Sequence, residues 1–259
     1  MPPPYHNPHW NAFVNAGYQS QRTVGDTPAQ WALGLPKVPM NLPVTEQTRQ
    51  QVRALCRNKN INELFAYICA MAWGGQNNRF GHKTLAWKHR HLITPKLEAL
   101  RAGKLNHSKA YNLFSGANSV PGLGSAFFTK LIYFFSPAPP NGATGFYMMD
   151  QWTAKSINLL NQKWVVRLAR VANASPGAGN TSGNYEAFCC EVEHIVTALG
   201  LNGAGIGDQV EQRLMSKGGH YPHPWRAYVR ANWPKNAPVG RYNPAALHGI
   251  YKHIPIECF

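Results

Sequence analysis

Asn118-Ser119-Val120-Pro121-Gly122-Leu123-Gly124-Ser125-Ala126 is the segment whose residue types and spacing most directly suggest chemistry. A Pro-Gly-apolar-Gly turn lets two helices meet closely, because glycine tolerates a positive φ. It also turns the amides that open the following helix outward, where they can hold a phosphate. Gly122, Gly124, Ser125 and Ala126 are the expected phosphate-binding positions. Lys130 stands one helical turn beyond Ala126, on the same face, inside the strongly apolar run Phe127–Phe135. Burial lowers the pKa of a lysine and readies its amine as a nucleophile. The same ammonium could instead touch a phosphate. Asp150, after Phe146-Tyr147-Met148-Met149 and before Gln151-Trp152-Thr153-Ala154, is placed as an N-cap, where the helix field keeps a carboxylate ionised. A fixed negative charge of that kind suits a cation developing beside it.

These residues need elements to position them. The helix of Lys130 is expected over Ser125–Phe135, after a short one at Ser108–Phe114, so the hairpin covers about 107–135. Asp150 is expected to open a helix running to about Arg170. Further helices are expected from Thr45, as cap, to Arg57, and from Asn60 to Gly74-Gly75. Three more follow over Lys83–Leu100 with a break near Pro95, over Tyr185–Leu199 and over Gly207–Met215. Residues 1–44, rich in proline, read as an extended, irregular arm anchored by Trp10, Phe13 and Trp31. The tail after His220 reads as irregular, and Ser175–Asn184 as a Gly/Ser loop. The fold class is mostly α, with the helical domain over 45–259.

Composition narrows the partners. Twenty-six Lys and Arg oppose 11 Asp and Glu, a net charge of +15. That excess favours a polyanion, because each phosphate contact gains from counterion release. No apolar run is long enough to cross a bilayer, and Met1–Trp10 has no signal-peptide core. Cys56, Cys69, Cys189, Cys190 and Cys258 show neither zinc nor disulfide spacing, so buried thiols, no metal site and a cytoplasmic setting are expected. No obligate protein partner is evident.

The turn, the flanking helices and Asp150 resemble the helix-hairpin-helix DNA glycosylases, and within them the 8-oxoguanine DNA glycosylase-like group. The resemblance covers roughly Asn60 to Leu214. Phe127-Phe128-Thr129-Lys130-Leu131-Ile132-Tyr133-Phe134, Tyr185-Glu186-Ala187-Phe188 and Gly207-Asp208-Gln209-Val210-Glu211-Gln212 look like its blocks.

It implies a two-lobed helical domain that binds double-stranded DNA and cleaves the N-glycosidic bond of an extruded nucleotide, leaving an abasic site. Asp150 would stabilise the sugar cation. Gln76, Asn77 and Asn78 match the loop that fills the vacated space, with Arg79 nearby for a phosphate or the opposite strand. Trp73, Phe127, Trp152 and Trp225 are the candidate base-pocket aromatics.

The chain departs from the group where bifunctional members carry the nucleophilic lysine, since Ala126 stands there. Lys130 is the candidate to replace it and supply strand-cleaving lyase activity. No iron–sulfur cluster or other cofactor is expected, though a monovalent cation at the hairpin carbonyls fits the resemblance. The substrate stays open between an 8-oxoguanine-like lesion, implying repair, and a bulky phage-type glucosylated cytosine, implying antiviral defence. Two other readings compete. A non-catalytic hairpin module would need neither Asp150 nor the Gln-Asn-Asn loop. A basic RNA-associated protein would make the hairpin coincidental.

Overall fold

The computed structural model describes residues 5–18, 25–76, 81–137, 144–168, 176–177, 179–218 and 220–238. Among them lie twelve α-helices, one 3-10 turn and no strand, so the fold is helical as expected. No helix among the described residues is long and apolar enough to cross a membrane. The chain separates into two compact units, one formed by Arg22–Ala138 and one by residues 1–21 and 139–259.

The first unit is the hairpin unit. It contains α2 (Pro28–Ala32), α3 (Arg49–Arg57), α4 (Glu63–Trp73), α5 (His82–Lys88), α6 (Arg90–Arg101), α7 (His107–Asn112), a 3-10 turn (Gly116–Asn118) and α8 (Ser125–Phe135). α4 is its central helix: every residue from Ala66 to Trp73 is buried, the pattern of a helix surrounded on all sides. α2, α3, α6 and α8 pack on it. Burying an aromatic such as Phe134, fully enclosed here, contributes about 2–3 kcal/mol.

Part of the positive charge is structural. Arg49 donates from Nε to the Tyr133 hydroxyl at 2.7 Å, and the Arg49 and Arg53 guanidiniums lie 4.2 and 4.6 Å from the Tyr133 ring centroid. These contacts tie α3 to α8.

The second unit contains α1 (Asn7–Ala16), α9 (Gln151–Asn161), α10 (Ser182–Ala198), α11 (Ile206–Met215) and α12 (Pro224–Asn236). α9 touches each of the other four.

Several boundaries differ from the sequence expectation, each for a local reason. α3 is capped by Thr48 rather than Thr45. Thr48 has Gln51 three residues on, and the two form a capping box, with amide bonds of 3.2 and 2.8 Å. The break expected near Pro95 falls at His89, and Pro95 lies inside α6, which buries Ile93, Leu97 and Leu100.

α9 stops at Asn161, not near Arg170. The fully buried Asn158 side chain accepts from the amides of Val165 and Val166 at 3.0 Å each and donates to the Val166 carbonyl at 2.7 Å. It thereby holds the following chain out of a helix.

The N-terminal stretch read as extended contains two helices, and the tail read as irregular contains α12. Pro8, Pro28 and Pro224 stand in the first turns of α1, α2 and α12, where the missing N–H costs nothing. Prolines read as breakers are helix starts here.

Candidate active site

In the hairpin unit the turn is built around Gly122. Its φ is +81°, and a Cβ there would collide with the carbonyl of His82 and come within 2.8 Å of the Ala86 amide. Only glycine meets both conditions. Gly124 is different: its φ is −73° as the N-cap of α8, and a Cβ would meet nothing within 4 Å. No side chain caps this end of α8. Its carbonyl accepts from the Phe127 and Phe128 amides at 2.9 and 3.0 Å, and the open space beside it is where a ligand could approach the backbone. Ser125 is buried, Ala126 half-buried and Gly124 exposed.

Gln76 is 1% exposed, and its Nε2 donates to the Gly122 carbonyl at 3.2 Å, while its backbone carbonyl accepts from the Trp31 indole at 2.6 Å. The structure therefore places Gln76 as a brace under the turn rather than as a side chain presented to a duplex. Asn77, Asn78 and Arg79 lie outside the described residues.

Lys130 is buried as expected, and its ammonium donates to the Gly74 carbonyl at 2.8 Å. Gly74 is the C-cap of α4, so the ammonium sits at the negative end of that helix. The Phe127 ring centroid lies 5.3 Å from the same ammonium.

In the second unit Asp150 is 7% exposed and caps α9. Its Oδ1 accepts from the Trp152 and Thr153 amides at 2.7 and 3.1 Å, while the Asp150 amide donates to Thr153 Oγ1 at 3.0 Å. Thr153 Oγ1 also reaches the Met148 carbonyl at 2.9 Å, fixing the cap from behind. Oδ1 is thus held by the backbone. The arrangement is a buried carboxylate oriented by the start of α9, with its charge acting on Lys155 and Arg226.

The candidate aromatics separate by burial. Trp73 packs edge-on against Phe134 at 5.1 Å in the hairpin unit's core. Trp225 is fully buried, donates to Ser156 Oγ at 2.9 Å and packs against Phe13 and Tyr228. Neither presents a face for a base. Phe127 and Trp152 are half-buried.

Three cations the sequence reading did not single out surround Trp152. The Arg226 guanidinium is 4.1 Å, the Lys155 ammonium 4.5 Å and the Arg230 guanidinium 6.0 Å from its ring centroid. Burial, reinforced by Arg226, pushes the Lys155 pKa down to about 8 against the pull of Asp150. Burial likewise pushes Arg226 down to about 10, with Asp150 opposing and Arg230 adding to the fall. The argument that singled out Lys130, a lysine in an apolar helix, applied equally to Lys155 between Ala154 and Ile157. Arg226 and Arg230 were hidden because their four-residue spacing means nothing until α12 is known to be a helix.

The described cysteines, Cys56, Cys69, Cys189 and Cys190, are buried free thiols; Cys258 lies outside the described residues. No group of three or more His, Cys, Asp or Glu gathers among the described residues in a way that could hold a metal ion.

No curated protein and no solved structure matches the chain. A family model matches residues 17–215, a wider span than the resemblance read from the motifs and one that stops before α12. The match covers most of the chain, and the protein belongs to the family described as "Putative 8-oxoguanine DNA glycosylase OGG-like protein".

Proposed function

We propose that the protein is a DNA glycosylase that extrudes a damaged or modified base from duplex DNA and cleaves its N-glycosidic bond, with Asp150 as the catalytic carboxylate. The observation that carries this reading is the Asp150 geometry: a buried carboxylate at the head of α9 whose Oδ1 is held by two backbone amides. Cleavage of the bond builds positive charge on the sugar, and a preorganised carboxylate stabilises that charge without reorganising. The hairpin supports the DNA-binding part, with the start of α8 uncapped by any side chain and Gly124 leaving room for a phosphate.

Water is the attacking group in this reading, oriented by Asp150, because Lys130 already serves the end of α4. The C1′–N bond breaks, the base leaves with a proton drawn from solvent, and water adds to C1′ and returns a proton to solvent to give the abasic sugar. The family points to 8-oxoguanine as the first base to test. A glucosylated hydroxymethylcytosine is the second, and its release would indicate a defence role rather than repair.

The test is base release from duplexes carrying each base, scored as alkali-labile sites. Native protein is expected to release one of them and Asp150→Asn to lose that release. Tight duplex binding with no release from any substrate would instead support a non-catalytic hairpin protein.

A further inference from the structure

Asp150 heads α9, but the residues that deliver it, 144–149, form neither helix nor strand and depend on neighbouring helices for their course. Tyr147 is the buried anchor of that stretch, 4% exposed. Its phenol donates to Oε1 of Glu193 on α10, and the same oxygen accepts from the Gly145 amide at 3.1 Å. Its carbonyl accepts from the hydroxyl of Tyr185, also on α10, at 3.0 Å. Burial, and after it Glu193, pushes the phenol's pKa up, so the phenol stays the donor.

The start of α11 is cleared for the same ring. A Cβ on the buried Gly207 would collide with the phenol oxygen and lie 2.6 Å from Cζ, and one on Gly145 would lie 2.6 Å from that oxygen. A methyl group at either position would push the phenol off Glu193. Filling volume in the core would be done as well by phenylalanine. The hydroxyl and the two bare glycines are accounted for by a ring that must sit in one place.

The cap bonds of Asp150 fix its carboxylate relative to α9. The direction from which the chain enters α9 is set further back, where Tyr147 is held to α10 by both its side chain and its carbonyl. Met148 and Met149, both fully buried, lead from that anchor to Asp150, with the Met148 carbonyl taken by Thr153 Oγ1 at 2.9 Å. A shift of the phenol is therefore passed along two residues to the carboxylate.

We propose that Tyr147, held by Glu193 and given room by Gly207, is a positioning residue for Asp150, fixing the entry of the chain into α9 and with it the place of the carboxylate against the sugar. The assignment rests on the glycosylase reading above. Tyr147 acts through Asp150 and not on the substrate. A carboxylate that stabilises a developing charge works by being preorganised, so a displacement of about 1 Å costs rate without costing affinity.

The test compares native protein with Tyr147→Phe, Glu193→Gln, Glu193→Ala and the double variant Tyr147→Phe/Glu193→Ala, each shown to be folded by thermal unfolding. Single-turnover base release and duplex Kd are measured separately on 8-oxoguanine and glucosylated hydroxymethylcytosine duplexes. Tyr147→Phe and Glu193→Ala are each expected to slow release roughly tenfold and to leave Kd within about twofold of native. The double variant should be no slower than either, because both remove one bond. Glu193→Gln keeps an acceptor for the phenol and should recover most of the rate. Should Tyr147→Phe fail to fold, Glu193→Ala against Glu193→Gln reads the same bond.

A second readout needs no base release. Asp150 raises the Lys155 pKa, so a displaced carboxylate should move the titration of the Lys155 nitrogen resonance in Tyr147→Phe, which changes no charge. Where native protein releases a base, a native rate in folded Tyr147→Phe would overturn the proposal. So would weaker Kd at an unchanged rate, which would put Tyr147 in the DNA interface. No release from any protein would sink the glycosylase reading, and the Lys155 titration then decides alone: a shift keeps Tyr147 as the residue that places Asp150, and an unmoved titration removes it.

Discussion

The ammonium of Lys130 donates to the carbonyl of Gly74 at 2.8 Å, so the lysine that the sequence offers as a nucleophile closes the last turn of α4. Replacing it by methionine removes a charge-assisted bond at a helix C-terminus and leaves the half-buried Gly74 carbonyl short of a donor. Lys130→Met should lower stability by about 1–3 kcal/mol, seen as a lower midpoint in thermal unfolding. Borohydride should trap no DNA adduct at Lys130 in the native protein. A trapped adduct mapped to Lys130 would restore it as the attacking amine.

Asp150→Asn separates the cap from the charge. Asparagine caps a helix about as well as aspartate, so unfolding should shift by less than about 1 kcal/mol while base release falls by about a hundredfold or more. Asp150→Ala should lose both. Because Asp150 raises the pKa values of Lys155 and Arg226, the asparagine variant should also move the Lys155 titration below about 8. A variant that unfolds early without losing release would make Asp150 a structural residue.

The two hairpin glycines should differ in cost. Gly122→Ala forces a side chain onto a φ of +81° and against the Ala86 amide, and should destabilise by more than about 2 kcal/mol. Gly124→Ala enters open space at an ordinary φ and should leave thermal unfolding nearly unchanged. A loss of duplex affinity in that well-folded variant would show that Gly124 serves the approach of a phosphate. Unchanged affinity would remove the start of α8 from the interface.

Lys155 should make stability depend on pH in a definite direction. Its folded-state pKa of about 8 lies below the ordinary 10.5. Between those values the unfolded chain binds more protons than the folded one, and this group's contribution to stability rises with pH. Below pH 8 the folded state carries the full penalty. Lys155→Met should therefore be more stable than native protein at pH 7, by up to about 3 kcal/mol, and the difference should shrink as pH climbs from 8 toward 10.5. Equal pH profiles for the two proteins would show that Lys155 is not under charge strain.

The helical class, the position of α8 and the place of Asp150 at the head of α9 were legible in the sequence because each depends on neighbours along the chain. Periodicity, Pro-Gly-apolar-Gly and a capping aspartate are local signals. Gly122 belongs to this group, although its second constraint, the backbone of α5, is tertiary. What the sequence misjudged turned on whether a local signal was used or overridden. Pro8, Pro28 and Pro224 look like breakers until the first turn of a helix is placed over them. Asn158 and Gln76 look like ordinary polar residues until burial commits their amides to distant backbone.

The partners of Lys130 and Lys155 were decided only by tertiary packing. Both are lysines in apolar helices. One meets a carbonyl 56 residues away in sequence, and the other meets a guanidinium from α12. Whether a buried cation is satisfied or strained depends on what the rest of the fold brings within a few ångströms of it, and neither composition nor spacing along the chain contains that distance.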